Sequence, residues 1–334
     1  MGRTPKLRRW ALSGLVALLS VVSTGAPAQY GIYFDYHRGD PETPPHIDHP
    51  HLDGVMLRWA WQEVEPEKGK YDFQTVEDGI APWVEAGKKV LIGVVLAGQH
   101  NQDTPSYVYE TVDRIDFVRS GKNYPVSVPK YWNPDFLPAV RGLVHALGDR
   151  YDRDSRIEAV LVGIGHIGFL TAAPNAEGAR VFLQSGWTPE RWKRYAREMI
   201  GLYRQAFPTK QLFMRGSSLV LRAPDPAEVG FPGSRRDFID VRDEILYEAA
   251  TRYGVGVGCN GLEADIDSFL ATGIPALYER LAPGAREGRY RLELSDDWPL
   301  WVDAARRARS QVDAKADNAY FKKALENLLG VPAQ

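Results

Sequence analysis

Two glutamates lie where predicted strands end, and a pair of carboxyl groups can supply both an acid and a base to a reaction. Glu293 belongs to YRLELSDD (290–297), where alternation puts the leucines on one face of a strand and Glu293 on the other. Glu263 ends the apolar run VGVGCNGLE (255–263). Because neighbouring strands lie about 4.8 Å apart, the two side chains could meet across a ligand. The alternatives are a strand-end ion pair for Glu293 and a helix cap for Glu263.

Arg58 and His166 are the other two residues whose chemistry stands out. Arg58 falls in MLRWAW, on the face opposite its apolar neighbours Leu57 and Trp59. A buried arginine must pair with a carboxylate, so it could hold a catalytic glutamate ionised or form a structural ion pair, for example with Asp35. His166, in GIGHIGF, could bind a hydroxyl group, donate a proton near neutral pH, or pack in the core.

Further polar and aromatic side chains near predicted strand ends could bind the ligand. They are Asp35, Tyr36, Trp61, Asn260, Asp296 and Trp298. The two tryptophans could be stacking platforms for a flat ring, or ordinary packing. Asp296 and its neighbour Asp297 could also replace either glutamate or orient a water molecule.

Three histidines, His46, His49 and His51, have a spacing that resembles a metal cluster. They lie in the proline-broken segment PPHIDHPHLDG, before the second predicted strand and away from the predicted active-site rim. We therefore predict no metal site and no cofactor.

Composition excludes several classes of protein. The chain of 334 residues has 41 Lys plus Arg against 43 Asp plus Glu, so it has no basic field that would attract nucleic acid. Its single cysteine, Cys259, allows neither an intramolecular disulfide nor a cysteine-based zinc site. The 9 Trp and 16 Tyr include flat faces of the kind that stack on sugar rings, although most will be core.

The N-terminus has the pattern of a signal peptide. A basic head precedes the apolar run Trp10 to Val22, and Ala26-Pro27-Ala28 supplies small residues for cleavage after Ala28. The alternative is a membrane anchor, for which the run is short. The paired arginine in KLRRWAL weakly indicates the twin-arginine route. We predict export to a bacterial periplasm or medium, no stable membrane insertion after cleavage, and a single domain at 29–334.

The elements that position these residues alternate between strands and helices. Strands are predicted at 30–36, 53–61, 88–98, 157–165, 210–216, 255–263, 290–297 and 310–318, and helices at 76–86, 134–151, 188–207, 236–254 and 320–329, with 266–281 mixed helix and loop. This alternation predicts an α/β protein folded as one (β/α)8 TIM barrel. A doubly wound sheet would carry a glycine-rich turn after its first strand, and FDYHRGDPETPP is not one. In a barrel, chemistry belongs to the carboxyl ends of the strands.

Three segments resemble a known family. The segments are, in chain order, HPHLDGVMLR followed by WQEVEPEKGKYDF, then GKKVLIGV, then YWNPDFLPAVRGLVHALGDRYDRDSRIEAVLVGIG. They resemble clan A glycoside hydrolases, particularly the beta-galactosidase-like barrels. The resemblance covers most of residues 48–215 and implies a barrel that acts on a carbohydrate. It also implies a general acid at the end of the fourth strand and a nucleophile at the end of the seventh. Glu293 matches the nucleophile position, but the fourth strand ends in GIGHIGFLT, without a glutamate.

We therefore expect an exported glycoside hydrolase with Glu293 as nucleophile or base and Glu263 as acid. Arg58 and His166 would order the carboxylates and the sugar. Two alternatives remain open: an inactive carbohydrate-binding barrel of the cell envelope, and a glycan lyase or transferase that uses His166 or a tyrosine as base. VEPEKGKYDF itself is interpreted as scaffold, and the insert that runs to Pro129 as a wall of the cleft.

Overall fold

The structure is a computed structural model of the chain. It describes residues 33–37, 47–48, 53–98, 103–118, 125–217, 219–223, 225–260, 274–287, 289 and 292–295. Three predicted features lie outside the described residues: the signal peptide at 1–28, the eighth strand at 310–318 and the closing helix at 320–329.

Strands and helices alternate along most of the described chain. The strands are β1 (Tyr33–His37), β2 (Gly54–Ala60), β3 (Lys89–Val95), β4 (Arg114–Val118), β5 (Pro125–Pro129), β6 (Ile157–Leu161), β7 (Gln211–Gly216), β8 (Gly256–Asn260) and β9 (Leu292–Ser295). The helices are α1 (Trp61–Val64), α2 (Phe73–Glu85), α3 (Phe136–Tyr151), α4 (Ala176–Gln184), α5 (Pro189–Ala206), α6 (Arg235–Tyr253) and α7 (Ile274–Arg286). Each strand predicted between 30 and 297 overlaps an observed one.

Seven of the strands form one parallel sheet, in the order β1-β2-β3-β6-β7-β8-β9. Helices fill the crossovers from β2 onward, as parallel neighbours require. The strands follow one another in chain order without a reversal, which is the order of a (β/α)8 barrel and not of a doubly wound sheet. The α/β class and the barrel order are confirmed. Within the described residues, β1 and β9 are the two ends of the sheet.

The two faces of the sheet bury different sets of side chains. On the outer face, Trp59 of β2 packs against α2, where a Cβ added to Gly79 would lie 2.8 Å from its indole ring. The inner face has a small apolar cluster of Met56, Leu91, Ala159, Leu161 and Phe213. Arg58 is two residues after Met56 and therefore belongs to the inner face, as its alternation predicted.

Most helix boundaries lie within two residues of the predicted ones, and α2 begins three residues earlier than predicted. The Thr188 side chain accepts a hydrogen bond from the Arg191 backbone at the start of α5, and α6 ends at Gly254 in the left-handed region, with φ 62°. The helix predicted over 134–151 is α3, which begins two residues later, at Phe136. Just before it, Asn133 Oδ1 accepts from the Asp135 backbone at 2.9 Å and the Asn133 carbonyl accepts from the Phe136 backbone at 3.0 Å, which are contacts of a helix start.

The segment VEPEKGKYDF is scaffold, as interpreted from the sequence. The buried Glu65 carboxylate accepts hydrogen bonds from Trp61 Nε1 and from the backbone of Gly69, both at 2.8 Å. Tyr71 stacks on Phe73, with the ring centroids 5.7 Å apart. These contacts fix the turn between β2 and α2.

The insert before Pro129 is a β-hairpin of β4 and β5. It is tied to the start of α4 by two hydrogen bonds, from Asn175 Nδ2 to the Val118 carbonyl at 2.7 Å and from the Val118 backbone to Glu177 Oε1 at 3.0 Å. Neither the hairpin nor α4 was predicted from the sequence.

Candidate active site

Three backbone positions line up across β7, β8 and β9, and the one on β7 lies next to the carboxyl end of its strand. Arg215 of β7 pairs with Gly258 of β8, and Gly258 pairs with Glu293 of β9. Two strand spacings separate Arg215 from Glu293, about 10 Å between their Cα atoms. Gly258, the position between them, has no side chain. Glu293 therefore lies level with a buried arginine at the end of the sheet where a barrel carries its chemistry.

Arg58 of β2 extends toward the same end of the sheet. Its Nη1 donates to the Ile167 carbonyl at 2.8 Å, and its guanidinium lies 5.3 Å from the centroid of the Phe169 ring. Only 3% of Arg58 is exposed. A Cβ added to Gly93, the partner of Arg58 on β3, would lie 2.9 Å from Leu161 Cβ and in ordinary contact with Arg58 Cγ at 3.5 Å, so glycine at 93 makes room for Leu161.

Arg215 is a site residue that the sequence reasoning missed. It is also 3% exposed, and its guanidinium lies 5.8 Å from the centroid of the same Phe169 ring. The alternation in KQLFMRG could have found it, since Phe213 and Arg215 share the inner face while Leu212 and Met214 join the outer core. Two buried guanidinium groups, from β2 and β7, thus lie at cation–π distance from one aromatic ring.

Phe169 reaches this position through a tight turn after β6. Ile167 has φ 51° and Gly168 has φ 85°, and the Phe169 backbone donates to the His166 carbonyl at 3.1 Å. A left-handed conformation is unfavourable for a β-branched residue and costs about 1–2 kcal/mol. Such strain is retained where surrounding contacts enforce it, often at functional sites.

His166 lies at the base of this turn and is 3% exposed. Its backbone donates to the Thr171 carbonyl at 2.7 Å. Its imidazole lies over Gly98, where an added Cβ would be 2.2 Å from Nδ1. The fit requires glycine at 98 and fixes the position of the ring.

Two polar contacts anchor the loop that carries Phe169. The Tyr195 hydroxyl of α5 donates to the Ile164 carbonyl at 2.6 Å, and burial raises the pKa of that hydroxyl well above its ordinary value. The hydroxyl groups of Thr171 and Ser217 share a short hydrogen bond that joins this loop to the end of β7. The loop that carries Phe169 is therefore held both by α5 and by the end of β7.

A buried ion pair on α6 supports the end of β7. Arg242 is fully buried, binds Asp243 Oδ1 through Nε and Nη2 at 2.8 and 2.6 Å, and donates from Nη1 to the Ser217 carbonyl at 3.3 Å. Burial raises the pKa of Asp243, although the positive charge of Arg242 opposes that shift.

Trp61 does not offer its ring to a ligand in this structure. It is fully buried, its indole donates to Glu65, and Tyr107 and Phe136 lie edge-on to it at centroid distances of 6.3 Å. The prediction of a stacking platform is therefore corrected: Trp61 is a packing residue, because α1 turns it into the core.

Asp103, after β3, is a buried carboxylate that the sequence reasoning also missed. Burial is the largest cause that raises the pKa values of Tyr131 and Tyr109, the latter to about 12. The negative charge of Asp103 adds to both increases. Asp103 therefore lies within electrostatic reach of Tyr131 and Tyr109.

The other predicted residues are placed by their backbones or lie outside the described residues. On the neighbouring parallel strands, the backbone of Asp35 lies opposite Met56, that of Tyr36 opposite Leu57, and that of Asn260 opposite Ser295. Glu263, Asp296, Trp298, His46, His49 and His51 lie outside the described part of the chain. Among the described residues no group of three His, Cys, Asp or Glu could hold a metal ion, and no helix is long and apolar enough to cross a membrane.

Comparison with known proteins identifies glycoside hydrolases as structural neighbours. No protein-family model and no curated protein matches the chain. A beta-galactosidase from Marinomonas ef1 is 11% identical over 79% of this chain and 48% of its own, with a TM-score of 0.46. A xylanase from Paenibacillus barcinonensis is 15% identical over 81% and 86%, with a TM-score of 0.42. Endo-glycoceramidase II from a Rhodococcus species is 16% identical over 74% and 66%, with a TM-score of 0.38. Because these TM-scores are below 0.5, we draw no function from the likeness.

Proposed function

We propose that the protein is an exported glycoside hydrolase that cleaves a poly- or oligosaccharide with a carboxylate pair. Glu293 is the nucleophile or base, and Glu263 is the acid. The observation that carries the proposal is the register of Glu293 with Gly258 and with Arg215, which lies near the carboxyl end of β7, in a barrel-ordered sheet.

The charge of Arg215 suits Glu293 to this role. A nearby guanidinium lowers the pKa of a carboxyl group, and an ionised carboxylate is what a nucleophile or a base must be. Leaving-group departure requires a second, protonated carboxyl group, which the proposal assigns to Glu263. A separation of about 5.5 Å between the two carboxyl groups would indicate retention of configuration, and about 6.5–9.5 Å inversion.

A second candidate, a carbohydrate-binding barrel without hydrolysis, is favoured by the turn after β6. The resemblance to clan A enzymes places the acid at the end of this fourth strand of the sheet. Phe169 is the side chain that reaches the two arginines there, and a phenyl ring cannot donate a proton to a leaving group. A sugar could still be bound by the aromatic ring and the charged groups around it.

The test is hydrolysis by the full chain of a polysaccharide panel, measured as released reducing ends. Glu293→Gln keeps the shape of the side chain but removes its charge, and we expect a loss of at least about a thousandfold in kcat. Glu85→Gln makes the same change at an exposed position at the end of α2 and should leave kcat unaltered.

A second comparison tests the acid. Glu263→Gln should slow cleavage of a natural linkage much more than cleavage of an aryl glycoside, whose phenol leaves without protonation. Equal activity of Glu293→Gln and the parent protein contradicts the nucleophile assignment. Binding of a polysaccharide without release of reducing ends selects the second candidate.

A further inference from the structure

The segment 165–173, which follows β6, fills the carboxyl end of the sheet between β3 and β7. Its backbone donates from Ile167 to the Ala97 carbonyl after β3, at 2.9 Å, and from Leu170 to the Arg215 carbonyl of β7, at 2.7 Å. Every residue of the segment except Ile167 is buried. Because the main chain is bonded on both sides and the side chains are covered, a ligand has no access to the sheet at β6 unless the segment moves.

Three insertions lie on this same side of the sheet and are joined to one another. They are the β4–β5 hairpin after β3, α4 after β6 and the short helical turn Ala227–Val229 after β7. Phe117 of the hairpin lies edge-on to Phe182 of α4, with ring centroids 6.1 Å apart, and Arg180 of α4 donates to the Glu228 carbonyl at 3.3 Å. Insertions that follow strands lie on the face where a barrel carries its chemistry. The three insertions therefore form a continuous wall on that face, over β3, β6 and β7.

The proposed nucleophile lies beyond the edge of this wall. Glu293 belongs to β9, two strands past Arg215 of β7, which is about 10 Å between Cα atoms. The Phe169 ring, at the base of the wall, lies 5.8 Å from the Arg215 guanidinium. A sugar bound at Glu293 therefore meets the wall within a short distance on the β7 side.

We infer that the site binds the end of a glycan chain and not its interior, because the wall stops the chain on one side of Glu293. An enzyme that cuts within a chain needs an open cleft on both sides of the bond that it breaks. Each cut breaks an anomeric C–O bond, and water supplies a hydroxyl group to the anomeric carbon and a proton to the leaving oxygen. The inference deepens the proposed function and rests on it, since it states which part of the substrate the same site takes.

The first test counts binding sites per mass of polysaccharide. Full-length Glu293→Gln, which should not cleave the probes, is titrated calorimetrically with soluble xylan, galactan and β-glucan. Each probe is used intact and after sonication that shortens its chains about tenfold, which multiplies the chain ends without changing the mass of sugar. The number of sites per mass of at least one probe should rise about tenfold. A site for chain interiors would keep that number constant.

The products of the parent enzyme give an independent measurement. A chain-end site should release one short product of fixed length from the first time points, while the viscosity of the polymer falls slowly. A ladder of fragments with a rapid loss of viscosity indicates cuts within the chain.

Removal of the hairpin assigns the barrier to the wall. The Lys130 backbone donates to the Asp113 carbonyl at 2.8 Å across the base of the hairpin, so residues 114–129 can be replaced by an Asn-Gly turn. In the Glu293→Gln background, this change should reduce the effect of sonication from about tenfold to about threefold or less. Lys130→Ala breaks the ion pair with Asp113 at the same base but keeps the hairpin, and should leave the effect intact. Circular dichroism checks folding, and the sonication comparison in Glu293→Gln itself depends on neither variant.

The outcomes separate this inference from the proposed function. Site numbers that sonication does not change, or a ladder of products, overturn the inference even where the parent enzyme hydrolyses the probe through Glu293. Site numbers that follow the chain ends of a probe that the parent does not cleave support the inference and contradict the hydrolase. A folded hairpin variant with an undiminished effect of sonication overturns the assignment to the wall. Failure to bind or to cleave any probe contradicts both proposals.

Discussion

Arg58 and Ile167 are joined by a hydrogen bond of 2.8 Å from a buried guanidinium to the main-chain carbonyl of a residue with φ 51°. The bond connects β2 to the turn after β6, across the inner side of the sheet. The strain of a left-handed isoleucine is thereby offset by a charge-assisted contact. The same turn carries Phe169 to the two arginines, so local backbone geometry and the electrostatics of the site depend on each other.

Glycine at position 168 should be required by this turn. At φ 85°, Gly168→Ala forces a side chain into the left-handed region, and we expect a loss of about 1–2 kcal/mol in the free energy of unfolding. Gly201→Ala, inside α5 where an added Cβ meets nothing within 4 Å, should instead gain about 0.5–1 kcal/mol. Urea unfolding of both variants checks the pair. Stabilisation of both would show that the turn does not need a left-handed residue.

Glu65 should be a stability residue and not a catalytic one. Glu65→Ala leaves the Trp61 indole and the Gly69 backbone without their acceptor, which should cost about 2–4 kcal/mol because the carboxylate is buried. Glu67→Ala, two residues later, removes an exposed ion pair with Lys70 and should change stability by less than about 0.5 kcal/mol. Denaturant midpoints measure both. A small effect at Glu65 would mean that the turn is held by packing alone.

The acid stability of the protein should depend on Glu77. Burial raises the pKa of this carboxyl group, but hydrogen bonds from Arg156 and Arg150 outweigh burial and lower it overall. A group with a lowered folded-state pKa contributes stability above its unfolded-state pKa, and that contribution is lost as the pH falls through the folded-state value. Between about pH 5 and pH 3, the parent protein should therefore lose more stability than Glu77→Gln. Parallel curves would show that Glu77 titrates alike in both states.

The alternation of side chains made part of the site predictable. Leu57 and Trp59 are apolar, so Arg58 had to take the other face of β2, and it does. Arg215 obeys the same rule on β7, where Leu212 and Met214 join the outer core and Phe213 and Arg215 take the inner face.

The turn after β6 could not have been predicted. Isoleucine disfavours positive φ, so no local signal at Ile167 announces the left-handed conformation. The turn depends on long-range contacts instead: Arg58 on the carbonyl of Ile167 and the Thr171–Ser217 pair on the following segment. Trp61 was misjudged for a related reason, since only the path of α1 shows that its ring turns inward.

The hydroxyl pair of Thr171 and Ser217 should couple the β6 loop to the end of β7. Both side chains are buried and share one short hydrogen bond. Thr171→Val and Ser217→Ala should each cost about 1–2 kcal/mol, but the double variant should cost less than their sum by about 0.5–1.5 kcal/mol. A double-mutant cycle by urea unfolding measures that difference. Additive losses would indicate that the two hydroxyl groups act through separate partners.

Position 169 should accept a carboxylate better than a neutral amide. In Phe169→Glu the new carboxyl group would lie beside Arg58 and Arg215, which lower its pKa, whereas burial alone would raise it. With two cations near the ring position, we expect the lowering to prevail. At neutral pH, Phe169→Glu should then be more stable than Phe169→Gln by about 1–3 kcal/mol.

The difference in stability between the two variants should change with pH in a defined direction. The advantage of Phe169→Glu should be present above the unfolded pKa, about 4.3, and should disappear as the pH falls through the lower folded-state value. Thermal unfolding of both variants from about pH 7 to pH 3 measures it, and the amide serves as the matched control of shape. If the two variants are equally stable at neutral pH, the positive charges of the arginines are already balanced by carboxylates of the chain.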